Sequence, residues 1–126
     1  MWTYDQSVDP PAPFVDIRVS PPLYPALGQS LQAKLDTAAD ISCVPSYLVD
    51  QLGLLPARAI PAEGYDSVQT VVNTYTITLE VAAARFRNLE VVSIPEKYAL
   101  LGRDVLNFFY VQLNGPDLTF DMSISP

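Results

Sequence analysis

Asp36 closes an alternating stretch, Leu31, Ala33 and Leu35 against Gln32 and Lys34, and is followed by Thr37, Ala38, Ala39 and Asp40. The alternation is that of a half-buried strand. The residues after it are too small to shield a carboxylate, so Asp36 would project from a tight loop. A carboxylate so placed can work as an acid or base, or it can cap the turn or the next helix, and the residues alone fit both readings. The chain contains no histidine, which removes Ser-His and Cys-His catalysis and histidine-based zinc chemistry. Its single cysteine, Cys43, can form neither an intrachain disulfide nor a usual zinc site, and reads as a small core residue. Glu63, Glu90 and Glu96 show no metal-ligating spacing. Catalysis here would rest on carboxylates, with no metal and no cofactor.

The elements around Asp36 follow from periodicity and turn residues. Pro10, Pro11 and Pro13 crowd residues 1–13, resist both helix and ladder, and predict a mobile tail. The domain proper is expected over 14–126. Val15, Ile17 and Val19 predict a first strand, and Pro21, Pro22 and Pro25 a turn before the strand that ends at Asp36. Pro45, then Leu48, Val49 and Leu52, then Gly53 predict a helix of about two turns. Gly64 to Ser67 form a turn signal before Tyr75, Ile77, Leu79 and Val81, so a long hairpin with an exposed tip is expected. Phe86 to Ile94 reads as a strand. Tyr98 to Leu101 leads into Gly102-Arg103-Asp104 and a second short helix through Phe109, and a closing hairpin turns at Asn114-Gly115-Pro116-Asp117. Strand, sharp turn and short helix thus occur twice, around Asp36 and around Arg103, without appreciable identity between the halves.

A chain of 126 residues, 49% hydrophobic and 17% charged, is a single packed globule. Fourteen acidic residues against seven basic ones give a net charge of −7, which repels nucleic acid and anionic membrane surfaces. The first residues lack a basic patch or apolar run, and no stretch reaches the ~18 apolar residues of a membrane span. With one unpaired thiol, a cytoplasmic protein is expected.

Two motifs carry a family resemblance. Ala33 to Val44, with Asp36-Thr37-Ala38-Ala39-Asp40, resembles the active-site segment of the retropepsin-like aspartic proteases. Leu100-Leu101-Gly102-Arg103-Asp104-Val105-Leu106 resembles the family's second apolar-Gly segment with its Gly-Arg-Asp/Asn and helix. The resemblance spans roughly residues 14 to 123. It implies an all-β fold: a closed barrel lobe with one or two short helices, a flap hairpin and a homodimeric assembly.

The same resemblance implies an aspartic endopeptidase acting on peptide or protein substrate. Two carboxylates about 3 Å apart share one proton, one serving as base toward water and the other as acid. Only one such motif is present, so each of two subunits would contribute Asp36. Thr37 would brace the partner's loop, Ala38 would flank the carboxylates, and Ala39 and Asp40 would line the substrate. Gly64, Tyr65, Asp66 and Ser67 resemble the flap over that substrate. Gly102 would let the second loop approach closely, and Arg103 would pair bidentately with Asp40. Ala38 stands where the family has Gly. At negative φ it is harmless, and at positive φ it is strained by about 1 kcal/mol. A silent dimeric peptide-binding module is the alternative.

Overall fold

Alternating apolar residues build most of the secondary structure. The computed structural model describes residues 1–63 and 68–126. In chain order these carry β1 (Trp2–Thr3), β2 (Phe14–Ser20), β3 (Gln29–Leu35), β4 (Cys43–Pro45), α1 (Ser46–Leu52), β5 (Arg58–Glu63) and β6 (Gln69–Val81). β7 (Ala84–Ile94), β8 (Ala99–Leu101), α2 (Arg103–Leu106), β9 (Tyr110–Asn114) and β10 (Thr119–Ser123) follow. No helix among the described residues is long and apolar enough to cross a membrane.

The larger sheet runs β2-β3-β8-β4-β7-β6-β5, and β6 returns to pair with β2, closing a six-stranded barrel from which β5 extends. Closure removes free edges around the barrel. Val15, Ile17 and Val19 of β2, Ala33 of β3, Ile77, Leu79 and Val81 of β6, Val91 of β7 and Leu101 of β8 are buried in one cluster. Burial of each larger aliphatic side chain contributes about 1.5–3 kcal/mol, which is why the period of two reads so clearly along these strands. The strands of the two similar motifs, β3 and β8, lie side by side in parallel, with Leu35 opposite Leu101.

α1 buries Leu48, Val49 and Leu52 and ends at Gly53, whose φ of 63° provides the left-handed cap. Pro45 is extended (φ −60°, ψ 141°) and ends β4, so the helix begins one residue later than the proline suggested. β4 itself was not expected. Its three residues are too few to show a period, yet they pair in parallel with β7 and meet β8.

Two expectations are corrected. The second helix does not reach Phe109. It is a single turn over Arg103–Leu106, because the rings of Phe108 and Phe109 turn onto Phe86 of β7, at centroid distances of 5.5 and 6.1 Å. Residues 1–13 do enter ladders, against the expectation from their prolines. Trp2 and Thr3 pair with Phe120 and Thr119 in a second sheet ordered β1-β10-β9, and Trp2 stacks on the buried Phe120 at 5.5 Å. Asp5 and Ala12 bridge each other, so the segment lies against the lobe at both ends. Of the long hairpin before β6, the arms are present: β5 pairs with β6 from Arg58 opposite Thr74 to Glu63 opposite Gln69. Gly64, Tyr65, Asp66 and Ser67 lie outside the described residues.

Candidate active site

Asp36 immediately follows β3, and its N–H donates to the carbonyl of Leu101 at 2.9 Å, continuing the parallel pairing with β8 into the loop. The loop then folds back on itself. Ala39 N–H donates to Asp36 O at 3.2 Å, and Ala38 N–H donates to the Asp36 carboxylate at 3.1 Å. This side-chain turn orients the carboxylate without withdrawing it from solvent. Asp36 is half-buried, whereas Thr37, Ala38 and Asp40 are exposed. Among the described residues the non-glycine positive φ angles belong to Ala82, Ala83, Asn88 and Leu118, so Ala38 carries no left-handed strain.

The segment 101–104 clamps this loop. Arg103 N–H donates to Ala39 O at 2.9 Å, and the Arg103 guanidinium donates through Nη1 to Thr37 O at 2.6 Å and through Nη2 to the Asp40 carboxylate. The expected bidentate pair is therefore divided. One arm of the fork takes a carboxylate oxygen and the other takes the backbone of the Asp36 loop, because the guanidinium straddles the loop rather than facing Asp40 squarely. Gly102 passes so close that a Cβ there would lie 2.8 Å from Ala39 O and 3.0 Å from the carbonyl carbon of Ile41. Its φ of −86° is open to any residue, so the glycine answers to space.

Sequence reasoning did not single out two residues that complete the clamp. Ser42 is buried. Its hydroxyl donates to Asp104 Oδ1 at 2.7 Å and accepts the Gly102 N–H at 2.9 Å, while its own N–H donates to Asp104 Oδ2 at 3.0 Å. Asp104 entered the sequence reading only as a member of the Gly102-Arg103-Asp104 motif, with no partner assigned to it. Ser42 gave no signal, because its partners come from the other end of the chain.

With Asp40 85% and Arg103 44% exposed at the side chain, their charge pair contributes under about 1 kcal/mol. The bond to Thr37 O raises the expected cost of Arg103→Ala to about 1 kcal/mol. Lys34→Ala should stay within about 0.5 kcal/mol. Thermal melts compare them, and amide exchange at Ala38 and Ala39 should quicken in Arg103→Ala alone. Equal melts and equal exchange would reduce Arg103 to a surface charge.

Cys43 is buried beside this loop. Burial, followed by the charges of Asp104 and Asp36, pushes its thiol up to about 11 from an ordinary 9.0. The fold favours the protonated thiol. The associated stability is intact below pH 9.0 and is lost as pH climbs through about 11. At pH 8 the native thiol should react with iodoacetamide about 100-fold more slowly than the unfolded chain, as mass spectrometry would show. Equal rates would contradict the burial. Among the described residues no three metal-ligating side chains come together.

No family model matches the sequence, and no curated protein resembles it in sequence. Solved structures do resemble it in shape. A retropepsin-like aspartic protease from Rickettsia conorii superposes with a TM-score of 0.62 at 14% identity, covering 94% of this chain and 86% of that one. The solution structure of simian foamy virus (mac) protease gives 0.59 at 20% identity, covering 76% and 93%. EIAV protease in complex with the inhibitor HBY-793 gives 0.51 at 20% identity, covering 76% and 86%. At these identities the likeness is one of fold. Closed barrel, paired β3 and β8 and a clamped acidic loop together make this chain a lobe of the retropepsin-like fold.

Proposed function

We propose that the chain is an aspartic endopeptidase that hydrolyses peptide bonds in extended polypeptide as a homodimer, with Asp36 from each subunit and an activated water. The observation that carries this reading is the Asp36 carboxylate, held at the surface of a retropepsin-like lobe by a loop bonded at Asp36, Thr37, Ala39 and Asp40 to residues 101–103. The sequence offers one such loop, so a dyad needs a second copy. A surface suited to that copy adjoins α2. β9 is an open edge of its sheet with all five residues exposed, and Phe108, Tyr110 and Leu113 are 66%, 60% and 56% exposed. An apolar strand edge of this kind invites pairing with another strand.

In the dimer the two carboxylates cannot both ionise and would share a proton. The ionised member removes a proton from water as the water attacks the scissile carbonyl. The protonated member donates a hydrogen bond to the developing oxyanion and then passes its proton toward the departing amine. Exposed Thr37 would meet the partner's loop, Ala39 and Asp40 would line the substrate strand, and the arms β5 and β6 would flank it. Gly102 and Arg103 support the loop. A peptide held between such arms gains main-chain hydrogen bonds on both sides. The unpaired thiol suits a reducing compartment, and we place the protein in the cytoplasm.

The test is incubation with a mixed peptide library from mildly acidic to neutral pH, over a range of protein concentrations. Cleavage is expected to be insensitive to chelator, with specific activity rising as chains associate. Peptide binding without cleavage at any pH would leave a silent binding module, the reading favoured by the exposed Ala38 methyl in place of glycine. Because Ala38 is unstrained, Ala38→Gly should leave turnover level or lower it through a looser loop. A marked gain in turnover would show that the methyl crowds the substrate.

A further inference from the structure

Arg18 of β2 is the register partner of Glu80 of β6, and Glu80 is the partner of Arg85 of β7, so three charged side chains stand in one row across the outside of the barrel. The β6–β7 ladder slips between Ile77 and Leu79, and Asn88 there takes a φ of 55°. Such bulges re-aim side chains and recur beside functional sites. Two open clefts, of about 590 and 670 Å³, adjoin here and share Arg18, Glu80, Arg85 and Arg87 in their linings. The row meets β3 at Ser30, the end remote from Asp36, on the order of 20 Å away along the strand.

The charges are not balanced. Glu80 pairs with Arg85 at 2.8 Å and Asp16, in the lining of the second cleft, accepts from the Gln32 amide, but among the described residues neither Arg18 nor Arg87 has a carboxylate partner, so arginines outnumber carboxylates three to two. Arg18 is also held in place. Its Nη2 donates to Pro25 O at 2.9 Å, and the guanidinium lies across Gly28, where a side chain would collide with it. Gly28 has an ordinary φ of −62°, so the glycine makes room for the arginine rather than for a turn. On a chain of net charge −7, three of the seven basic residues thus converge on one cleft, with the exposed Leu23 at its rim.

We propose that this face of the barrel is a second polypeptide-binding site, which takes an acidic segment by seating its carboxylates on Arg18 and Arg87 and an adjacent apolar side chain on Leu23. Planar guanidinium groups bind carboxylates through paired N–H donors. The pairing of Glu80 with Arg85 shows a carboxylate accepted at the centre of the cleft. Nucleic acid would meet the negative field of the whole chain, and an open cleft with an apolar rim suits a chain segment better than a lone anion. The site does not depend on whether Asp36 is catalytic.

The test uses the full chain carrying Asp36→Asn, so that cleavage plays no part, and a fluorescein-labelled peptide of alternating Glu and Val read by anisotropy. Binding is expected to weaken at least about tenfold in Arg87→Gln and in Arg18→Gln, with melting temperatures held and Lys97→Gln unchanged. Gly28→Val should act like Arg18→Gln by displacing the guanidinium. Equal binding by the corresponding Gln and Val peptide would overturn the proposal. So would wild-type affinity in Arg87→Gln, or displacement of the peptide by inorganic phosphate at concentrations equal to the peptide's own.

Discussion

Asp36→Asn is expected to lower peptide cleavage by a factor of about 10⁴ or more while leaving the lobe folded and associated. Asparagine keeps an oxygen for the Ala38 N–H, now bonded to the Asp36 carboxylate at 3.1 Å, so the loop loses little of its local geometry. The amide can neither accept the proton of the attacking water nor share one with a partner, and loss of a positioned base alone commonly costs 10²–10⁴. In a homodimer the change removes both halves of the dyad together. A mixing experiment sharpens the point. Added Asp36→Asn chains should depress wild-type activity in proportion to their fraction of the total, because each mixed dimer holds one carboxylate. Undiminished activity in the variant, or in the mixture, would move the chemistry away from Asp36.

Gly102→Val should be the most damaging single change to the fold around the loop, at about 3 kcal/mol or more, with activity lost as well. The atoms a Cβ would meet, Ala39 O at 2.8 Å and the Ile41 carbonyl at 3.0–3.1 Å, belong to backbone and cannot swing aside as a side chain could. Relief requires the loop to lift, which breaks the bonds from Asp36 N–H to Leu101 O and from Arg103 N–H to Ala39 O and strands the buried Ser42. Gly115 supplies the control, since nothing lies within 4 Å of its would-be Cβ and Gly115→Ala should be near neutral. Urea unfolding measures both. Equal midpoints would mean that the Asp36 loop yields readily to a side chain at position 102.

What could be read from the sequence was what local physics writes there. β2, β3 and β6 show a period of two because one face of each is buried, and Gly53 marked a helix end because only a left-handed residue closes it cheaply. Asp36 was visible as an acid between an apolar strand and residues too small to cover it. The rest depended on partners distant in the chain. Trp2 gives no sign that it will stack on Phe120, the ring of Phe86 ends α2 early, and Ser42 becomes important only when Asp104 arrives. Whether Ala38 was strained rested on a backbone angle that residue type does not fix, and its absence from the positive-φ residues answers the question.

The parallel contact between β3 and β8 has a consequence for how the protein is made. Among the described residues, the bonds that reach Asp36, Thr37, Ala39 and Asp40 from outside their own loop come from Leu101 and Arg103, while the loop itself lies in the first third of the chain. Contacts between segments so far apart carry a large closure entropy and form late in folding. On the ribosome β3 emerges long before β8, so a growing chain exposes its Asp36 segment without the strand that shapes it. On the peptidase reading proposed above, a nascent chain would lack a shaped Asp36 loop until nearly all of the lobe has been synthesised.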